Sequence, residues 1–226
     1  MATSKTQAPQ DNQEKINAQV SKTEQFYKEN KKTIWCCFAA VVVVVLAVLA
    51  YRQFVYEPKV VEAQEQMFPA EIAFNESNFE AALNGDGNVL GFAEIAKEYG
   101  SKAGKAVYMY AGISALQLGN YEDALSYLKK YNGKDAILAA KALGCQGDAY
   151  VGLEKYQQAI SCYDKAASKI DNIFAASYLL KEGVVYEELG QPQKALACYK
   201  QIKDKYPQSI EGYDIEKYIS RIESAE

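Results

Sequence analysis

The sequence contains no histidine among its 226 residues. Histidine is the commonest general base, the usual partner of a catalytic serine or cysteine, and the commonest zinc ligand. Glycine-rich phosphate loops and the GxSxG and HExxH motifs are also missing. Carboxylates or lysines can replace histidine in some enzymes, but no spacing of such residues here indicates converging groups. We therefore expect a protein that is not an enzyme and that uses no metal or cofactor.

Cysteine is sparse, and its five copies follow neither metal-site nor CxxC spacing. An odd number excludes a complete disulfide framework. Cys36 and Cys37 lie at one end of a long apolar run, where acylation is an alternative to a plain packing role. The other three, Cys145, Cys162 and Cys198, fall on predicted helix faces, and we expect them to be buried thiols.

The segment from Asn84 to Asn88 places oxygen-bearing side chains at alternate positions, like the start of a calcium-binding loop. Val89 stands where that loop needs glycine, and Ile95 stands where it needs an acid. We therefore interpret the segment as a turn that ends one helix and caps the next.

Charge is missing from the eighteen residues between Ile34 and Tyr51. As a helix these residues span about 27 Å, close to the ~30 Å hydrocarbon core of a bilayer. A cleaved signal peptide is one alternative, but the apolar run begins more than thirty residues into the chain. A buried core helix is another, but five consecutive valines leave no polar face. The run therefore predicts a transmembrane helix.

Flanking charges predict the orientation of this span. Six lysines precede it, whereas only Arg52 and Lys59 follow closely. The positive-inside rule then places the N-terminus in the cytoplasm and the large C-terminal part outside it. That part, residues 57–226, carries 18 basic against 25 acidic residues. An acidic domain argues against nucleic acid as a partner, because phosphate binding needs clustered basic residues.

Three segments, 105–131, 140–166 and 176–202, align without gaps at intervals of 35 and 36 residues. Such a period indicates a repeat architecture. The aligned columns are a glycine, a leucine, an alanine and a large residue: Gly112, Gly147 and Gly183; Leu118, Leu153 and Leu189; Ala124, Ala159 and Ala195; Leu128, Tyr163 and Tyr199. Each unit is predicted to be two antiparallel helices, whose small residues allow close backbone approach.

These columns resemble the tetratricopeptide repeat, with its small residue, Leu-Gly turn, alanine and later aromatic. The resemblance covers about 105 residues. Three departures occur: the first aromatic, Tyr108 in the first copy, is leucine in the other two, Pro192 replaces the turn tyrosine, and Glu154 replaces the turn glycine.

The resemblance implies an all-α fold, with a single transmembrane helix followed by a solenoid of about four helical hairpins and a C-terminal capping helix. Phe79 and Ala82 repeat the pairing of Tyr121 and Ala124, which indicates a degenerate first repeat. The expected divisions are a cytoplasmic arm, the span, the degenerate repeat, three full repeats and the cap, at 1–32, 33–56, 57–104, 105–209 and 210–226.

In tetratricopeptide arrays the first helix of each hairpin lines an inner groove. The corresponding positions here, expected to bind peptide, are Met109, Ile113, Leu116, Gln117, Asp148, Val151, Leu180, Val184, Glu187 and Glu188. This groove is apolar with an acidic end and lacks the Lys, Arg and Asn residues of a carboxylate clamp. Hydrophobic or basic extended segments are the expected partners. Packing between helices is the alternative role for each of these residues.

A cytoplasmic arm, one span and an exported repeat domain together resemble bacterial inner-membrane tetratricopeptide proteins, including the ancillary subunit of the secretory translocon. The resemblance implies an envelope adaptor or chaperone-like scaffold for exported proteins or secretion machinery, with the repeat domain in the periplasm or another extracytoplasmic space. The alternative is a scaffold that self-associates into a homo-oligomer, which the eighteen tyrosines favour.

Overall fold

The computed structural model describes the backbone of residues 8–224 and the side chains of residues 26–224. Its described part is all α-helical, as predicted. The eleven α-helices are α1 Ala8–Tyr51, α2 Glu57–Asn75, α3 Phe79–Asn84, α4 Phe92–Glu98, α5 Ala106–Gln117, α6 Tyr121–Leu128, α7 Ala136–Gly152, α8 Tyr156–Lys169, α9 Ala175–Glu188, α10 Pro192–Lys205 and α11 Ile210–Glu223. The chain divides into two compact units, the first ending at Pro58 and the second beginning at Lys59.

The first unit contains α1 and a π-helical turn, Arg52–Tyr56. The valines from Val41 to Val45 are all exposed. One helical stretch in the described part, Phe26–Asn75, is long and apolar enough to cross a membrane. No residue in its most apolar part is buried. Length and composition of this kind fit either a membrane span or an N-terminal signal sequence.

The second unit contains the predicted hairpins, α5 with α6, α7 with α8, and α9 with α10. In each of them the aligned glycine of the first helix faces the large residue of the second. A Cβ built on Gly147 would overlap the ring of Tyr163, and one built on Gly183 would overlap the ring of Tyr199. The glycine column therefore permits the close helix contact that the sequence predicted.

The turn inside each hairpin ends the first helix with a left-handed residue. Gly119 has φ of +78° and Gly190 has φ of +66°. Glu154 occupies the equivalent position at φ of +57°, although a residue with a Cβ is disfavoured there. Glu154 therefore replaces the turn glycine of the repeat without changing the backbone conformation of the turn.

Upstream of the full repeats, α2, α3 and α4 lie in the segment predicted to be a degenerate repeat. Ala82 is fully buried, like Ala124 in the next repeat. The second helix is interrupted at residues 85–91, where a side chain on Gly85 or Gly91 would overlap backbone atoms of the loop. Helix α4 begins at Phe92, and Val89 lies in the preceding loop.

Helix α11 closes the other end of the unit. Ile215, Ile219 and Ile222 are buried against the preceding hairpin. Tyr213, on the same helix, is 78% exposed. It lies two residues before Ile215, which turns it about 200° around the helix and away from the buried side.

Candidate peptide-binding groove

Helices α5, α7 and α9 carry all ten residues predicted to bind peptide. Met109 is buried, whereas Gln117, Val184 and Glu188 are exposed. The remaining six are half-buried: Ile113, Leu116, Asp148, Val151, Leu180 and Glu187. Leu116, Val151 and Leu180 pack against the hydrophobic core clusters, so much of their surface serves packing between helices.

Met109 and Ile113 line a cavity of about 280 Å³ beside the first full repeat. The cavity is slightly below the usual range of ligand pockets and can hold about one large side chain. Seven further residues complete its wall: Phe74, Lys105, Ala106, Tyr110, Tyr131, Leu138 and Lys141. The repeat columns did not indicate these seven. Ala106 and Tyr110 lie on α5 outside the columns chosen for the groove, and the other five come from α2, α7 and the connections.

Aromatic contacts make the wall of this cavity rigid. The ring of Tyr110 stacks on Phe92, with centroids 5.0 Å apart, and meets Phe74 edge-on at the same distance. Burial, with a smaller effect of Glu71, raises the pKa of Tyr110. Its phenol therefore stays neutral at physiological pH and does not repel an apolar or anionic ligand.

The basic groups that border the cavity are Lys105 and Lys141. Lys105 Nζ donates to the carbonyl oxygen of Asn132 at 2.9 Å, which fixes one charge at the rim. Lys141 is exposed on α7. The rim of the cavity is therefore cationic, although the groove was expected to be apolar with an acidic end.

Asp148, one of the acids of the predicted groove, is neutralised inside the domain. Lys181 Nζ donates to both of its carboxylate oxygens at 2.7 Å. The hydroxyl of Tyr163 donates to Oδ1, also at 2.7 Å. Burial and then the Asp148 carboxylate raise the pKa of Tyr163, which keeps this phenol a donor.

Glu187 forms a second triad of the same kind one repeat later. Its oxygens accept two bonds of 2.7 Å from Arg221 and one of 2.5 Å from the hydroxyl of Tyr199. Burial and then the bond to Glu187 raise the pKa of Tyr199. Both triads thus join a carboxylate and a tyrosine of one repeat to a cation of the next structural unit.

The first repeat has no such triad because its residues in the matching columns are apolar. Ile113 stands in the column of Asp148, and Leu128 stands in the column of Tyr163. The cavity opens at this point. The apolar and the ion-paired parts of the predicted groove are therefore separate places on the inner surface.

The cysteines of the second unit are free thiols. Burial raises the pKa of Cys145 to about 11 and that of Cys198 to about 12. A thiol with such a pKa is a poor nucleophile at physiological pH. Cys162 and Cys198 are buried as predicted, whereas Cys145 is half-buried.

The segment Asn84–Asn88 forms the turn that ends α3, as predicted. It does not cap the next helix, whose N-cap is Gly91 without a side-chain hydrogen bond. Asp86 Oδ1 accepts hydrogen bonds from the backbone N–H groups of Asn88 and Val89 at 2.9 and 3.0 Å. These two bonds lower the pKa of Asp86. Within residues 26–224, no group of three or more acidic or cysteine side chains is arranged to hold a metal ion.

Family models describing the tetratricopeptide repeat match residues 140–168 and residues 177–209. These two segments of the chain are therefore tetratricopeptide repeats. The matched segments are the second and third predicted repeats, which contain α7 with α8 and α9 with α10. Among curated protein sequences no match was found.

Solved structures share the fold of this chain. One crystal structure of MamA is 21% identical, covers 69% of this chain and 92% of its own, and has a TM-score of 0.51. Another crystal structure of MamA protein is 20% identical, covers 74% of this chain and 87% of its own, and has a TM-score of 0.53. Identity at this level supports the fold alone.

Proposed function

We propose that this tetratricopeptide-repeat protein is a membrane-tethered adaptor or chaperone-like scaffold of the cell envelope, which captures segments of exported proteins or of secretion machinery. The observation that carries the proposal is the apolar cavity lined by Met109 and Ile113. Tetratricopeptide repeats are typically non-catalytic modules for binding proteins, and an apolar cavity with a rigid aromatic wall suits one anchoring side chain of a bound segment.

The tether in this proposal is the apolar helix within Phe26–Asn75. The lysines before the span favour a cytoplasmic N-terminus, with the repeat domain periplasmic or otherwise extracytoplasmic. We retain 1–32 as the cytoplasmic arm and 33–56 as the span. The degenerate repeat at 57–104, the three repeats at 105–209 and the cap at 210–226 then make up the exported part.

The groove chemistry favours hydrophobic segments over basic ones. Asp148 and Glu187 are held in ion pairs, so they offer little free charge to a basic ligand. Lys141 and Lys105 instead border the cavity. A bound segment would insert an apolar side chain between Met109 and Leu138, while Val184 and Glu188 extend the contact along α9.

Site-specific photocrosslinking in cells tests this function. A photoreactive residue at Lys141 borders the cavity. A second at Gln117 lies one turn beyond Ile113 on α5, and one at Gln157, exposed in α8, serves as the control. We expect adducts with exported polypeptides or secretion-channel subunits from the first two positions and not from the third. The variant Ile113→Glu should abolish these adducts, because it places a charge in the apolar cavity.

Two results would contradict the adaptor function. The first is equal crosslinking from Gln157 and from the groove positions, which would mean nonspecific contact. The second is adducts of the protein with itself alone, which would favour the self-associating scaffold. Circular dichroism of Ile113→Glu must show retained helix content, so that loss of adducts reflects the site.

A further inference from the structure

The connections between successive hairpins form one edge of the repeat domain, because equivalent positions of stacked repeats lie on the same side. We call it the basic edge and define it as residues 99–105, 129–135, 169–174 and 205–209. These four segments contain seven lysines and two aspartates. Residues 57–226 as a whole are acidic, so positive charge is concentrated at this edge.

The turns inside the hairpins form the opposite edge and have the opposite composition. Residues 75–80, 117–123, 152–157 and 187–192 contain seven acidic residues and one lysine. Helix α8 runs from one edge to the other, and its 14 residues correspond to about 20 Å. The repeat domain therefore has a basic and an acidic edge separated by the length of its helices.

Exposed apolar residues follow the basic edge in register. Leu138, Phe174 and Ile210 are spaced 36 residues apart and lie at the starts of α7, α9 and α11. Their exposed fractions are 44%, 55% and 87%. Ile137 and Ile173 stand beside the first two and are about half exposed. Single exposed apolar residues are ordinary, but a row at equivalent positions of three successive units is a patch.

A lysine accompanies each member of this apolar row. Lys134, Lys169 and Lys205 are also in register, at intervals of 35 and 36 residues, and all three are exposed. The two aspartates of the edge are engaged locally. Asp135 accepts from the backbone N–H of Leu138 at 2.8 Å, and Asp171 accepts from the hydroxyl of Tyr206 at 3.3 Å.

We propose that the basic edge and its apolar row contact a lipid surface that carries anionic headgroups. Lysines near such a surface are attracted to its phosphates, while apolar side chains enter the boundary between headgroups and acyl chains. A chain anchored by its own apolar helix meets lipid at high effective concentration. This contact uses residues outside the peptide-binding cavity apart from Lys105, Tyr131 and Leu138. It rests on the tether of the proposed function but not on the capture of peptides.

Fluorescence quenching in nanodiscs tests the contact with the full-length chain. Trp35 is the single tryptophan and is changed to Phe, after which Phe174→Trp places a reporter in the apolar row. Lipids with brominated acyl chains quench tryptophan that enters the bilayer. With phosphatidylglycerol present, we expect emission at shorter wavelength and loss of intensity through quenching.

Two matched changes distinguish the edge from the rest of the domain. A reporter at Gln157→Trp, at the acidic edge, should remain unquenched in the same nanodiscs. Combined Lys134→Glu, Lys169→Glu and Lys205→Glu should remove the quenching at position 174, as should nanodiscs of phosphatidylcholine alone. Circular dichroism of the triple variant establishes that its helices are retained.

Three results would overturn the proposal. One is a reporter at position 174 that is unquenched, or no more quenched than the one at position 157. Another is quenching that persists equally in neutral lipid and in the triple glutamate variant. The last is emission that shifts with protein concentration but is not quenched by bromine, which would mean that a second copy covers the row.

Discussion

At the scale of the residue, Glu154 shows how a strained backbone position is tolerated. Its φ of +57° belongs to the region that Gly119 and Gly190 occupy in the neighbouring repeats. A side chain there costs about 1–2 kcal/mol, because Cβ approaches the following carbonyl oxygen. Contacts of the whole hairpin must offset that cost.

Glu154→Gly should stabilise the repeat domain by about 1 kcal/mol, after the entropy that glycine adds to the unfolded state. Thermal or urea unfolding of the full-length protein measures this change. Gly119→Ala is the matched control and should destabilise by a similar amount. An unchanged or lowered midpoint for Glu154→Gly would contradict the interpretation of strain.

Glu182 is a buried carboxyl on α9, and burial followed by the charge of Asp164 raises its pKa to about 7. Glu182 lines a cavity of about 430 Å³ together with Asp164 on α8 and with Cys198 and Lys205 on α10. Tyr186 donates a hydrogen bond to the Glu182 carboxyl. Because the folded state holds this proton more tightly than the unfolded chain, the stabilising effect is full below pH 4.5. It is lost as the pH rises through about 7.

Glu182→Gln should therefore remove a pH dependence of stability. The melting temperature of the unmodified protein should fall relative to that of the variant between pH 5 and pH 8, while the two converge at the acidic end. Glu188→Gln, an exposed change on the same helix, is the control and should leave the dependence intact. Parallel pH profiles for the unmodified protein and Glu182→Gln would show that another group is responsible.

At the scale of the helical element, the second and third full hairpins each pack a glycine against a tyrosine ring. Gly147 faces Tyr163, which also donates to Asp148, so one contact supports both packing and the ion pair to Lys181. The same arrangement recurs around Gly183 and Tyr199. Interhelical distance and electrostatics are thus linked through the tyrosine.

Gly147→Ala should destabilise the domain by about 1–3 kcal/mol, even though alanine gains about 1 kcal/mol over glycine in helix propensity. The new Cβ would displace the Tyr163 ring and lengthen its bond to Asp148. Chemical denaturation measures the loss. Ser161→Ala, an exposed change on the facing helix, controls for propensity and should not destabilise. An unchanged free energy of unfolding for Gly147→Ala would mean that the Tyr163 ring moves without an energetic cost.

At the scale of the whole molecule, the chain combines a unit that ends at Pro58 with a repeat unit that begins at Lys59. The exposed valine run of the first unit predicts behaviour unlike that of a soluble protein. A signal sequence would be removed from the mature chain, whereas a span would remain in it.

We expect the full-length protein to stay in the membrane pellet after carbonate extraction at its uncleaved mass. Protease added to the periplasmic side should digest the repeat domain and spare a tag at the N-terminus. A control carrying Val42→Lys, Val43→Lys and Val44→Lys should be released, because charges at the bilayer centre are costly. A mature protein shortened by the apolar segment, or a protected repeat domain, would contradict the tether or its orientation.

Several features of the candidate groove follow from single residues in register. Met109 and Ile113 were found from the repeat alignment, because the position of a residue within a repeat determines which face of the helix it occupies. The partners of Asp148 and Glu187 were not predicted. Lys181 and Arg221 lie 33 and 34 residues further along the chain, and nothing local links such a pair.

The amino-acid sequence by itself determined the helical period, the three repeats, the small residues at helix contacts and the apolar segment, because each depends on residue type and spacing alone. Tertiary structure decided where the cavity opens, which acids are neutralised and which edge collects the lysines. These properties depend on side chains from different repeats meeting in space. Whether two such side chains come into contact depends on the distance and angle between stacked helices, which no single repeat encodes.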